Sequence, residues 1–272
     1  TTMAEALFLR EGEAYIPTES ASGPWSPDYL HGGPPTGLLA WALEQAAAGS
    51  GLRLARQTTD LLRPVPSKPL TVRVETVRTG RRLRVLQADL LADNIVVSRA
   101  TALYLEQAPL DVPGHARFPD DTLPTREGPA QTLVQISERG RDVPQLTLTG
   151  LHTTAEVHLI DGVQGRGVGR VWMRLPIPVV AGEPCSATVQ AATLADFGNG
   201  IGQLHVADNV GSINADISLY LTRPPCGEWI GFDARARMGD NGNGLVETRL
   251  FDDKGMIGRV TQATLAMPVY GG

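Results

Sequence analysis

Several things are scarce in this chain, and each scarcity closes off a class of protein. Its 272 residues include only two cysteines, Cys185 and Cys226. That is too few for a disulfide framework and suits a reducing compartment. No run of ~18 apolar residues is present to cross a bilayer, and the opening TTMAEALFLREGEAY lacks a basic region followed by an apolar one. A soluble, cytoplasmic protein with no membrane partner is therefore expected. Cations are in deficit, 24 Lys and Arg against 29 Asp and Glu for a formal charge of −5, which disfavours a nucleic-acid partner. Gly-x-Ser-x-Gly is missing, no Ser or Cys motif supports a catalytic triad, and no Cys/His/carboxylate spacing suggests a metal. What remains, 42% hydrophobic and 19% charged, is the composition of an ordinary globular protein with a proper core.

The chain also contains itself twice. Moving the second half back by 160 positions lays Leu221, Arg223, Pro224, Leu250, Asp253, Arg259, Thr261 and Leu265 on Leu61, Arg63, Pro64, Leu90, Asp93, Arg99, Thr101 and Leu105. A tandem duplication implies two similar modules with a cleft between them, a natural place for a ligand. Where the copies differ, at Gln262 against Ala102, a polar residue kept in one copy is a candidate for chemistry.

Each module reads as α+β. In the first, a loop around His31-Gly32-Gly33 leads through two prolines into Leu38–Ala48, apolar nearly all round except for Glu44 and Gln45, and so a buried helix. Strands follow at 56–63, 70–78, 82–91 and 95–105, by alternation and turn signals. Residues 106–150, rich in proline from Pro109 to Pro144, read as the connection between modules. In the second module the pattern predicts strands at 154–160, 168–175, 185–193, 213–221, 228–237, 245–251 and 256–267. Asp240-Asn-Gly-Asn-Gly marks a hairpin. The helix matching the first module's is expected after Asp196, shortened or broken by Gly198, Gly200 and Gly202.

Five segments occur in order along the chain: His31-Gly32-Gly33 entering the helix, Leu61-Leu62-Arg63-Pro64, Ala195-Asp196-Phe197, Tyr220-Leu221-Thr222-Arg223-Pro224, and Val260-Thr261-Gln262. Together they resemble the double hot-dog acyl-CoA thioesterases, the family of the bacterial medium- and long-chain acyl-CoA thioesterase II. The resemblance covers nearly the whole chain. It implies a tandem hot-dog, each module an antiparallel sheet wrapped around a buried helix, with modules at 1–108 and 151–272 joined by a linker at 109–150. It implies hydrolysis of a fatty acyl-CoA in lipid metabolism, with coenzyme A as part of the substrate and no separate cofactor, and assembly into dimers or larger homo-oligomers. The family's site is an Asp, a Thr or Ser, and a Gln, all in the second module. By position these fall on Asp196, Asn214 and Gln262, so the hydroxyl position carries an amide here.

A thioester carbonyl is reactive enough for water to attack once that water is oriented and relieved of a proton. Asp196 is the candidate base, and Gln262 and Asn214 would hold the water. His31, Gly32, Gly33 and Gly37 would bind substrate, with backbone N–H groups at the helix start receiving the oxyanion. Bland alternatives stand beside these roles. Asp196 suits a helix N-cap, Gln262 a satisfied core amide, Asn214 a polar strand face with Asp216 and Ser218, and His31 a structural loop. Trp25, Tyr29 and Trp41 are candidates to shape an acyl tunnel. Arg78, Arg81, Arg82 and Arg84 suit either coenzyme phosphates or a solvated hairpin. Gly165-Arg-Gly167-Val-Gly169 reads as a hairpin loop. A non-catalytic acyl-thioester binding protein and a hot-dog enoyl-thioester hydratase are the competing functions.

Overall fold

The computed structural model describes residues 5–137 and 148–268; the part of the proline-rich connection at 138–147, Pro144 included, lies outside them. The first half contributes β1 (Phe8–Glu11), β2 (Ala14–Pro17), helix α1 (Gly33–Ala47), β3 (Arg53–Leu61), β4 (Leu70–Thr79), β5 (Leu83–Ala92) and β6 (Ile95–Leu105). After the connection, with its short helices α2 (Leu133–Ile136) and α3 (Leu151–Thr154), come β7 (Glu156–Gly162), β8 (Val168–Arg174), helices α4 (Ala187–Leu194) and α5 (Phe197–Ile201), and β9 (Val210–Asn214). The chain finishes with β10 (Asp216–Leu221), β11 (Ile230–Met238), β12 (Asn243–Asp252) and β13 (Gly255–Pro268).

These strands build one antiparallel sheet in the order β1-β2-β4-β5-β6-β3-β10-β13-β12-β11-β8-β7, with β9 beside β13. The second six strands repeat the first six in reverse order. The seam is β3 against β10, where Thr58 pairs with Ser218 and their hydroxyls lie 3.1 Å apart, 160 residues apart in sequence. The spacing of the repeat therefore recurs across the seam as a local two-fold. Helix α1 has twelve buried residues and packs on β4, β5 and β6, so its apolar surface and the sheet's inner face exclude water together.

Two expectations need correcting. Of residues 185–193, expected as a strand, 187–193 are helical. Ser186 accepts the N–H of Val189 at 3.1 Å as an N-cap, and Val189, Ala191, Ala192 and Leu194 are buried, so short apolar side chains with β-branched interruptions imitated a strand. The helix also does not begin after Asp196. It runs eight residues as α4, breaks at Ala195 and Asp196, and resumes for five as α5, matching the fifteen of α1. Gly198 and Gly200 lie inside α5, and at Gly198 the reason is tertiary. A Cβ there would meet Thr248 Oγ1 at 2.6 Å and Gln262 Oε1 at 2.7 Å. The strand expected at 213–221 is likewise two strands. Around Ala215 the Asp216 carboxylate takes the Ala263 N–H at 2.7 Å, so the ladder is bridged by a side chain.

Helices α1 and α4 pack on each other, and their closeness depends on missing side chains. A Cβ on Gly37 would overlap the Thr193 hydroxyl, and one on Gly33 would meet the Thr193 carbonyl at 2.5 Å. On the outer face, the cross-strand pair Arg73–Asp89 of the first half recurs with its charges exchanged as Asp233–Arg249 in the second. Arg249 also takes Asp121 of the connection at 2.6 Å. Nearby, Trp172 donates to the Pro124 carbonyl at 2.7 Å and Leu123 packs with Trp172 and Phe251. The connection thus straps the outer face of the second half.

Two stability measurements follow. Gly37→Ala should lower stability by about 1–3 kcal/mol through overpacking, read as a lower denaturant midpoint. Adding Thr193→Ala should recover part of that loss, because it removes the hydroxyl the new methyl strikes. Asp89 is buried, and hydrogen bonds from Arg99 above all, then Arg73, hold its carboxyl below the usual range despite burial. A depressed carboxylate stabilises above the ordinary value of ~4 and loses that contribution as pH falls through its folded value. Asp89→Asn should therefore cost about 1–3 kcal/mol at pH 7, and the gap to wild type should close as unfolding is followed below pH ~4.

Candidate active site

The break between α4 and α5 is where the chain collects polar groups. Asp196 sits in that break with helical backbone angles and its side chain caps nothing. Its carboxylate is held from two directions. Asn214, at the end of β9, donates from Nδ2 to Oδ1 at 2.8 Å, and His31 Nδ1, just before α1, lies 3.1 Å from Oδ2. The first half of the chain thus supplies the histidine and the second half the carboxylate. Asp196 is buried, so these contacts act in a medium that screens charge poorly.

Asn214 reaches Asp196 because of the break at Ala215. A continuous strand would keep it in line with Asp216 and Ser218. Instead its amide also donates to the Asp216 carbonyl at 3.4 Å. Asn199 of α5 fastens β9 alongside, donating to the Ser212 carbonyl at 3.2 Å and lying 3.3 Å from the Ser212 hydroxyl. The Phe197 ring packs against that of His31, with centroids 4.7 Å apart and planes tilted by 35°. Burial pushes the His31 imidazole below its ordinary pKa, and the Asp196 charge opposes this without overcoming it. The ring is therefore neutral near pH 7.

A cavity of about 630 Å³ opens here, walled by His31, Gly32, Asp196, Phe197, Asn199 and Asn214 among others. Trp25 and Tyr29 line it and are about half exposed, whereas Trp41 is in the core against Tyr15. Of the remaining candidates, Gly33, Gly37 and Gln262 are not part of the wall. Gly37 turns its bare Cα to Thr193, so its lack of a side chain serves helix contact. Gln262 is fully buried behind the site and donates to the Asp196 main-chain carbonyl at 3.4 Å. Its Oε1 finds no hydrogen-bond partner among the described residues, and neither does the adjacent Thr248 hydroxyl. Arg78, Arg81, Arg82 and Arg84 surround the β4–β5 hairpin, and none lines the cavity.

Sequence reasoning passed over His152, a buried residue of α3 in the cavity wall, and the Asn199–Ser212 brace. Neither carries a local signal, since each matters only through what folds against it.

This arrangement can hold a water against a carboxylate beside a helix N-terminus, which is what a thioester hydrolase needs. Comparison with known proteins gives the class. Residues 21–105 match the acyl-CoA thioesterase N-terminal domain, and residues 120–266 match the acyl-CoA thioesterase C-terminal domain. The chain belongs to the acyl-CoA thioesterase family. The thioesterase is thus a thioester hydrolase. Its fold is similar to that of a hot-dog protein from Alicyclobacillus acidocaldarius, at 16% identity over 97% of each chain with a TM-score of 0.69. It is also similar to acyl-CoA thioesterase II TesB2 from Mycobacterium marinum, at 16% identity over 96% of this chain and 94% of that one with a TM-score of 0.64. A tesB protein of Mycobacterium avium subs. paratuberculosis gives 15% identity over 96% of each chain and 0.64. Identities this low speak for the hot-dog fold alone. The comparison with curated proteins returns no match.

Proposed function

We propose that the thioesterase hydrolyses a fatty acyl-CoA to the free acid and coenzyme A by water activated at Asp196, in two hot-dog modules at 1–108 and 151–272 joined by the 109–150 linker. The observation that carries this reading is the Asp196 carboxylate, fixed by Asn214 and His31 in the wall of a cavity formed by both halves. Asn214 spends its amide protons on Asp196 Oδ1 and the Asp216 carbonyl, which leaves its Oδ1 as an acceptor. A water donating one proton to Asp196 and the other to Asn214 Oδ1 directs its lone pair at the thioester carbon. Attack forms the C–O bond while Asp196 takes the proton. Collapse of the tetrahedral adduct breaks the C–S bond, and the proton passes from Asp196 to the departing thiolate. Gln262 supports the site from behind by holding the Asp196 main chain. An amide thereby takes the place of the hydroxyl that the family resemblance implies at this position. The two free cysteines suit a cytoplasmic enzyme of lipid metabolism, and assembly into a homo-oligomer belongs to the same reading.

Asp196→Asn should cut thiol release by about 10²–10⁴-fold with the folded state intact by circular dichroism; turnover at the wild-type rate would sink the proposal. Asn214→Ala should cost about 10-fold or more by freeing the carboxylate and losing the acceptor, and Asn214→Thr should retain activity.

A second reading rests on the 3.1 Å approach of His31 to Asp196. A histidine beside an acid also suits hydration of a 2-enoyl thioester. Loss of enoyl absorbance without thiol release would favour that reaction, whereas thiol release from saturated acyl-CoA favours hydrolysis.

A further inference from the structure

The Arg-Pro step that recurs in the two halves is used differently in each. Leu61 pairs with Ser98, and Leu221 pairs with Gly258 at the equivalent place in the second half, so Arg63 and Arg223 leave equivalent strand ends. Arg223 is taken up within the fold. It donates to the Asp252 carboxylate at 2.8 Å, and that buried side chain also accepts the Cys226 N–H at 2.8 Å and the Lys254 N–H at 2.9 Å. The residue equivalent to Asp252 is Ala92, which pairs with Ile95 as Asp252 pairs with Gly255. With no carboxylate at that place, the Arg63 side chain is exposed and makes no ion pair or hydrogen bond among the described residues. Lys68, the next cation along, lies 3.6 Å from Asp93.

Arg63 stands at the edge of the active-site cavity. Pro64 lines the wall, the Val65 carbonyl accepts the Leu30 N–H at 2.9 Å, and Leu30 adjoins His31. Among the described residues no Lys or Arg is in that wall, and its one carboxylate is Asp196, a charge that repels phosphate. The pantetheine arm of coenzyme A, when extended, holds the phosphates about 15 Å from the thioester. The phosphates of a substrate reacting at Asp196 are therefore met outside the cavity, at its rim. Resting on the hydrolase reading above, we propose that Arg63 binds the phosphates of coenzyme A at the cavity rim, as the cation that Ala92 leaves unpaired. A guanidinium can hold two phosphate oxygens at once. On a chain of formal charge −5, a local cation offsets the general repulsion of an anionic ligand. The phosphates do not change during hydrolysis, so this contact stabilises ground and transition states alike and acts on KM.

Steady-state kinetics of the full-length enzyme test the assignment, with an acyl-CoA compared against the matching acyl-pantetheine, which lacks the nucleotide and its phosphates. Arg63→Gln should raise KM for acyl-CoA about tenfold with kcat changed by less than about twofold. Its KM for acyl-pantetheine should stay within about twofold of the wild-type value. Added salt should raise the acyl-CoA KM of the wild type more steeply than that of the variant. Ala92→Asp introduces the carboxylate that the second half carries; it should capture Arg63 and raise the acyl-CoA KM likewise, and Arg63→Gln on top of it should add little. Arg81→Gln, at the β4–β5 hairpin, should leave the acyl-CoA KM unchanged. An unchanged acyl-CoA KM in Arg63→Gln, equal shifts for the two substrates, or a rise in Arg81→Gln instead would each overturn the assignment. Calorimetric titration with coenzyme A itself needs no turnover, and the wild type should bind it about tenfold more tightly than Arg63→Gln. Full turnover by Asp196→Asn would remove the hydrolase reading and leave that difference in place, so the two failures are distinguishable.

Discussion

The close contact of α1 with α4 is the constraint on which the rest depends. Gly33 and Gly37 present bare backbone to Thr193, which lets the two helices approach more closely than side chains would allow. That approach sets the N-terminus of α1 against the break after α4. His31 and Gly32 then meet Asp196 without a long loop to carry either. Two walls of the site are helix ends anchored in the core, and helix ends carry N–H groups without intrahelical partners.

The duplication explains the frame, and its decay explains why the chemistry sits on one side. The local two-fold passes between Thr58 and Ser218 and relates α1 to the span of α4 and α5. Counting from the helix starts, Asp196 corresponds to Ala42 and His31 to Cys185. The second location has no carboxylate at the base position. There, Ser186 donates to Glu44 at 2.7 Å while also capping α4, which is a structural use of the same geometry. The exchanged pair Arg73–Asp89 and Asp233–Arg249 shows the same drift in a harmless form. Two opposite charges across a strand pair stabilise in either order, so the copies were free to swap them.

The four strands after α1, the seam spacing, the hairpin at Asp240 and the apolar character of α1 were all legible, because periodicity and turn chemistry are local properties. The second helix was misplaced because Cys185–Thr193 carries mixed signals, with alanines and β-branched residues in one short run. Glycine within α5 misled for a related reason: Gly198 answers to Thr248 and Gln262, two strands distant in sequence. For the site, Asp196, Asn214 and His31 were named from the chain, yet the bond between Asn214 and Asp196 was not foreseeable. It depends on a strand break that the Asp216 side chain bridges.

By itself the sequence determined the α+β modules, their duplication and the family, since each is written in spacings that survive whatever the neighbours do. Tertiary structure alone decided which polar side chains meet. It brought a histidine of the first half within 3.1 Å of a carboxylate of the second and put Gln262 behind the site instead of in its wall. Hydrogen bonds are directional and reach about 3 Å, so such encounters follow from the packing of remote segments and leave no periodic trace along the chain.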